Sequence, residues 1–247
     1  NETELTQFNL SVGVTDEFME AVQEDESFDL RYNGKVFKRV RAKQLFDKIM
    51  RATWDWAEPG ILFLDRINER NNLWNTETIS ATNPCGEQPL PPDGACLLGS
   101  FNLTKYIYKG EASEYLFDLA KFDDDIPIVH RAMDNVIDRT SYPLASQEQE
   151  AKSKRRMGLG FTGVANAGEA LGYTYGSPAF LGWLDDLCQR LVVGLYKASA
   201  LLAREKGTYP LYVGEDFKKS YTYNLLDQET KTLIDEHGLR NSHLTSI

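Results

Sequence analysis

The sequence predicts an α/β domain, and three observations carry that expectation. Short β-branched and aromatic runs alternate with segments of helical periodicity. No repeat, low-complexity tract or obvious linker divides the 247 residues. Hydrophobic residues make up 42% of the chain and aromatic residues 11%, enough to bury a sizeable core.

Residues 5–14 (LTQFNLSVGV) read as a strand, and Thr15 follows as a helix N-cap with Asp16 and Glu17 in the first turn. In RYNGKVFKRV, Asn33-Gly34 supplies the left-handed pair that a tight hairpin needs. From Arg41 to Ala57, the residues Leu45, Phe46, Ile49, Met50, Thr53, Trp54 and Ala57 recur at helical spacing. Pro59-Gly60 stops that helix, and ILFLD reads as a buried strand. The next stretch, residues 79–103 (ISATNPCGEQPLPPDGACLLGSFNL), holds Pro84, Gly86, Pro89, Pro91, Pro92 and Gly94 around two cysteines. It predicts a loop that projects and returns. Ile128, Val129, Ala132, Met133, Val136 and Ile137 outline a further helix. The clearest helix runs from Pro178 to Lys206, capped by Ser177 and closed by Gly207. Its stripe of Leu184, Leu187, Leu191, Leu195, Ala198 and Leu202 faces a core, and Cys188 beside it is expected to be a buried structural thiol.

A formal net charge of -10 argues against a nucleic-acid or anionic-membrane partner. Lys152, Lys154, Arg155 and Arg156 form a local basic cluster, expected to be a solvated turn. No apolar run is long enough to span a bilayer, and NETELTQFNL is neither a signal nor a transit peptide. The sequons at Asn9 and Asn102 then read as chance matches. Three cysteines suggest a reducing compartment and a cytoplasmic protein. His130, His237 and His243 are scattered, so no metal site is expected, and His130 with Asp134 reads as a surface pair. Gly158, Gly160 and Gly163 satisfy the dinucleotide fingerprint, but the lead-in QEQEAKSKRR cannot be a buried strand. Tight packing of a strand on a helix explains those glycines better.

In extended backbone, residues i and i+2 share a face. Asn83, Cys85 and Glu87 would then present an amide, a thiol and a carboxylate to one ligand. That trio suits a polyhydroxylated substrate: a carboxylate can accept a hydroxyl proton, an amide can hold a neighbouring hydroxyl, and a thiol can be nucleophile, redox group or radical carrier. Cys96 could supply reducing equivalents. Spacing alone leaves open the other reading, in which both cysteines fill small apolar gaps.

The stretch NPCGEQPLPPDGACLLGSFNL resembles the finger-loop region of the large, catalytic subunit of ribonucleotide reductases, and its Asn-Pro-Cys-Gly-Glu-Gln-Pro-Leu form is similar to that of the adenosylcobalamin-dependent class II enzymes. FNLSVGVTDEFMEAV, GILFLDRIN, RRMGLGFTG and LRNSHLTSI extend the resemblance over essentially the whole chain. It implies that residues 1–247 are part of the ten-stranded α/β barrel of that family, with the finger of residues 83 to 87 at its centre. The implied activity is radical-based reduction of ribonucleotides to 2′-deoxyribonucleotides for DNA synthesis, as a ribonucleoside-diphosphate reductase.

Residue by residue, the resemblance implies that Cys85 becomes the thiyl radical that removes the 3′ hydrogen. Glu87 is then the base at the 3′-hydroxyl, Asn83 the amide on the ribose hydroxyls, and Cys96 one of the two reducing thiols. It further implies adenosylcobalamin as cofactor, thioredoxin or a similar dithiol as reductant, and a dimer in the complete enzyme. Two departures stand beside it. The other reducing cysteine and the specificity loops lie upstream in the family, and an Ala-Pro-Thr-Gly-type phosphate loop normally follows LTSI. The expectation is therefore a middle segment that acts beside the remaining segments of the reductase. The alternative is a non-catalytic structural segment or split-enzyme assembly partner. A small thiol-disulfide oxidoreductase would need a Cys-x-x-Cys that the chain lacks.

Overall fold

The computed structural model describes residues 4–245, which form two compact units that divide after Pro92. Ser246 and Ile247, the end of the LTSI motif, lie outside the described residues.

The first unit opens with strand β1 (Ser11–Val14) and helix α1 (Asp16–Gln23). Thr15 caps α1 as its sequence demands, its Oγ1 accepting the Phe18 N–H at 3.2 Å. Strands β2 (Ser27–Tyr32) and β3 (Lys35–Arg41) form the hairpin, with Asn33 and Gly34 both at positive φ. Helix α2 (Ala42–Trp56) ends at Ala57 in the left-handed conformation. Strand β4 (Gly60–Phe63) then returns to pair in parallel with β1, Ser11 opposite Gly60 and Val14 opposite Phe63. Between them lies a small core of Val14, Phe18, Ala21 and Ala42, edged by Phe28, Leu45, Phe46 and Ile61. Helix α3 (Leu64–Glu69) leads to a short hairpin, β5 (Ala81–Thr82) with β6 (Pro89–Leu90).

The second unit begins with β7 (Leu98–Asn102), a 3₁₀ turn (Leu103–Tyr106) and the hairpin β8 (Ile107–Lys109) with β9 (Tyr115–Phe117). Helices α4 (Leu119–Arg139) and α5 (Ala145–Lys154) precede β10 (Gly158–Thr162), which pairs in parallel with β7. The other edge of β10 takes up the last described residues: Leu159 N–H donates to Leu244 O at 2.9 Å, and Leu159 bridges Thr245 in parallel. Helices α6 (Val164–Ala170) and α7 (Pro178–Lys206) follow, then α8 (Gly214–Phe217), α9 (Tyr221–Leu225) and α10 (Gln228–His237). Ser177 caps α7 through its Oγ at 3.2 Å from Phe180 N. Phe122 of α4 is fully buried between the rings of Phe101, Tyr106 and Phe117.

A charged cluster locks this unit. Asp134 on α4 is fully buried, and its Oδ1 accepts from Arg155 (2.7 Å) and from Asn241 Nδ2 (3.1 Å). Its Oδ2 meets Lys206 and Arg240, each at 3.3 Å. Burial alone would raise the Asp134 carboxyl, but the hydrogen bond and charge of Arg155, the charge of Arg240 and Asn241 together hold it below the usual carboxylate range. Because the Asn241 amide group faces two acceptors, Asp134 and the Arg155 carbonyl, its Oδ1 is turned to His130 at 2.8 Å. His130 must therefore donate through Nε2.

Several expectations are corrected here. The basic cluster is a solvated turn only at Lys152, whose side chain stays 42% exposed: Lys154, Arg155 and Arg156 are 7%, 4% and 8% exposed, with Glu150 of α5 meeting Lys154 and Asp134 and Asp138 of α4 meeting Arg155. His130 and Asp134 are buried rather than a surface pair, and each bonds to Asn241 from the far end of the chain. Cys188 is exposed, since it follows the buried Leu187 by one position and so points about 100° away from the stripe. The first strand spans only Ser11–Val14 of the expected 5–14, and β4 is at most half-buried, with Phe63 exposed. Trp54, placed on the apolar face of α2, is 83% exposed. Strands among the described residues pair two by two and close no barrel.

Two outcomes follow from the cluster. Asp134→Ala would strand the buried Arg155 and its cationic neighbours, lowering stability by about 3–5 kcal/mol in a urea unfolding titration. Burial pushes His130 down to about 4 and takes His243 well below its usual value, the latter also through Arg156 and Lys154. Both imidazoles gain protons on unfolding below about pH 6.5. Stability is thus full above that pH and falls toward pH 4, by about 1.4 kcal/mol per pH unit for each histidine. Urea midpoints measured across that range should slope accordingly, and His130→Gln should flatten the slope in part.

Candidate active site

The cysteine-containing segment folds as a clasp rather than an extended strand. The β5–β6 ladder is prolonged by one pair: Asn83 N–H donates to Gln88 O at 3.0 Å, and Asn83 Oδ1 accepts the Gln88 N–H at 2.9 Å. Within it, Gly86 N–H donates to Asn83 O at 3.0 Å, closing a turn over residues 83–86. Gly86 sits at φ +86° with no atom within 4 Å of where a Cβ would stand, so its requirement is conformational, not steric. The chain therefore returns between Cys85 and Glu87, not over the whole span to Cys96, and the shared-face argument for extended backbone does not apply.

Asn83, Cys85 and Glu87 nonetheless share one six-residue clasp. Cys85 is exposed at the turn, Glu87 is half-buried and Asn83 is half-buried with its Oδ1 committed to the Gln88 N–H. Gln88 is 5% exposed, and its Oε1 is buried without a hydrogen-bond donor among the described residues. A second contact reaches the turn from 75 residues away: Asn9 Nδ2 donates to the Pro84 carbonyl at 3.0 Å. No local sequence signal marks Asn9 for that role.

Cys96 belongs to the second unit, two residues ahead of β7. It is exposed and lines a cavity of about 100 Å³ with Val136, Ile137, Thr140, Tyr142, Glu150 and Arg156. Among the described residues, which include all three cysteines, there is no disulfide. Nor is there a group of three or more His, Cys, Asp or Glu side chains that could hold a metal ion. No helix of the described residues is long and apolar enough to cross a membrane.

The glycine fingerprint resolves as packing. Gly158 and Gly160 lie within β10 itself, and Gly163 at φ +71° starts α6. A Cβ on Gly163 would stand 3.0 Å from Thr104 and 3.1 Å from the Asn102 side chain, so glycine is needed there for close packing as well as for its positive φ. Asn102, one of the two sequon asparagines, is itself occupied as the cap of the 3₁₀ turn, accepting the Thr104 N–H.

Comparison with known proteins gives a consistent result. The family profile described as "Ribonucleotide reductase, barrel domain" matches residues 1–247. A vitamin B12-dependent ribonucleoside-diphosphate reductase of Thermoplasma acidophilum is 36% identical over 217 residues, covering 87% of this chain and 28% of that protein. One from Mycobacterium tuberculosis is 37% identical over 220 residues, covering 88% of this chain and 31% of that protein. A vitamin B12-dependent ribonucleotide reductase of Streptomyces clavuligerus is 31% identical over 206 residues, covering 83% and 21%. The chain thus spans less than a third of the length of these relatives.

Cys188 supplies a chemical check on the placement of the thiols. Partial burial, then the Asp185 carboxylate, pushes its thiol up, so little thiolate is present near neutral pH. Alkylation followed by mass spectrometry should find Cys188 slow near neutral pH despite its exposure. Asp185→Asn should speed it by a factor of about two to three.

Proposed function

Because this chain belongs to the ribonucleotide reductase barrel-domain family, we propose that its finger clasp carries the radical reduction of a ribonucleoside diphosphate to the 2′-deoxyribonucleotide. The single observation that supports it most is the clasp itself: an exposed thiol on a closed turn, with an amide and a carboxylate two residues to either side.

The steps follow from what each group can do. A Cys85 thiyl takes the 3′ hydrogen atom, forming an S–H bond and leaving a carbon radical at C3′. Glu87 accepts the 3′-hydroxyl proton, which lets the 2′-hydroxyl, protonated by a thiol, leave as water. Asn83 has its Oδ1 engaged by Gln88, so it is the Nδ2 donors that would hold a ribose hydroxyl. Cys96 and a second thiol from outside this chain give two electrons and two protons, closing a disulfide. Glu87 then gives its proton back to the 3′ oxygen as Cys85 returns its hydrogen atom to C3′ and is a thiyl again. An external dithiol of the thioredoxin kind reopens the disulfide by exchange.

Adenosylcobalamin, the cofactor the relatives' names point to, supplies the initiating radical when bound. The fit on this chain's side is the accessible Cys85 thiol, held on a turn rather than buried in a core. The span of the chain relative to its relatives favours action together with the remaining reductase segments. The same span, with strands that close no barrel, gives the second reading, a non-catalytic assembly segment.

The test is deoxyribonucleotide formation by this chain assembled with the remaining reductase segments, given adenosylcobalamin and a dithiol. Turnover is expected, Cys85→Ser should abolish it, and Glu87→Gln should lower kcat by about 10²–10⁴. Turnover that needs a radical-generating partner subunit instead of cobalamin would replace the cofactor and keep the barrel chemistry. No turnover in either arrangement, with folding verified, would leave the assembly role.

A further inference from the structure

We propose that Asn9 is a positioning residue for Cys85, a role that rests on the reductase reading above. The peptide joining Pro84 to Cys85 is planar, so fixing its carbonyl fixes the backbone nitrogen and Cα of Cys85 as well. Asn9 Nδ2 holds that carbonyl at 3.0 Å. Asn9 in turn does not float: its neighbour Leu10 accepts the Gly60 N–H at 2.9 Å, just where the β1–β4 ladder begins with Ser11 opposite Gly60. Two hydrogen bonds, joined by the backbone between Leu10 and Asn9, thus link that ladder to the peptide bearing the thiol.

The contact matters because the clasp has little to hold it otherwise. Beta strands β5 and β6 are two residues each, and a two-stranded hairpin is marginal by itself. The Asn83–Gln88 pair anchors the base of the turn, while the Pro84 carbonyl lies on its outer half. With the base alone held, the tip could rock about the ladder and swing Cys85 with it. Hydrogen abstraction is steeply sensitive to such displacement, a misplacement of about 1 Å costing on the order of 10²-fold. Asn9 is exposed, so its bond adds little to global stability. The bland alternative is an incidental surface bond that shields a loop carbonyl.

The experiment compares Asn9→Ala and Asn9→Gln with the parent in the assembled reductase, reading hydrogen exchange, steady-state kinetics and thermal unfolding. In Asn9→Ala, exchange at the Gly86 and Gln88 amides should rise about 10-fold while β1 and β4 amides stay unchanged. Turnover should fall about 10-fold or more with KM for the nucleotide and Tm unchanged. Asn9→Gln, whose longer amide can still reach the carbonyl, should recover much of both. Unchanged exchange at Gly86 and Gln88 overturns the proposal, as does unchanged kcat with faster exchange. A lowered Tm with exchange raised throughout the first unit would make Asn9 merely structural and overturn it too. An inactive parent assembly would count against the reductase reading rather than Asn9, because exchange needs no turnover and decides the loop contact by itself.

Discussion

The second unit depends on one buried carboxylate. Asp134 has no exposure, so its charge must be met inside the protein or the helix that carries it cannot be buried. Five donors from four segments converge on or beside it: Arg155 after α5, Lys206 at the end of α7, Arg240 and Asn241 after α10, and His130 one turn earlier through Asn241. Satisfying Asp134 thus fixes where α5 ends, where β10 begins and where residues 243–245 lie against β10. Arg155 pays a conformational cost for this as a non-glycine residue at φ +51°, and its ion pairs with Asp134 and Asp138 offset it. The strand that pairs with β10 on its other edge is β7, which follows Cys96, so the network also sets the frame on which that thiol is carried.

In the first unit the constraint is the reverse: a proline-rich loop with few backbone donors and little burial. Pro84, Pro89, Pro91 and Pro92 donate nothing, and the N–H groups of Asn83, Gly86 and Gln88 all turn inward on the loop's own acceptors. Self-satisfaction of this kind lets a thiol stand exposed without a sheet or a helix beneath it. The contact that reaches this loop from outside it comes from Asn9, two residues ahead of β1.

What was legible in the sequence was local. The caps at Thr15 and Ser177, the Asn33-Gly34 turn and both ends of α7 needed only neighbouring residues to specify them, and they stand as read. The candidate site was legible as a motif, but its shape was not: an i, i+2 argument presumes extended backbone, and Gly86 in the left-handed region curls it. Burial failed wherever the partner was remote. Nothing near Arg155 in sequence announces Asp134, and nothing near His130 announces Asn241, 111 residues on. Cys188 failed by a single helical step. The exposed Trp54 and Phe63 carry apolar character whose local sequence reads as core, though this chain leaves them uncovered.

The separation between Asp134 and its partners has a consequence for synthesis. Arg240 and Asn241 lie 106 and 107 residues downstream of the carboxylate they meet, and β10 gains its second edge from residues later still. On a ribosome, α4 leaves the exit tunnel long before either partner has been made. Until then its apolar face would carry an acid that no nearby residue neutralises in full, and close packing against α7 would be unfavourable. Closure of the charged network around Asp134 therefore waits for the segment around residue 241 to be made, although Arg155 and Lys206 precede it.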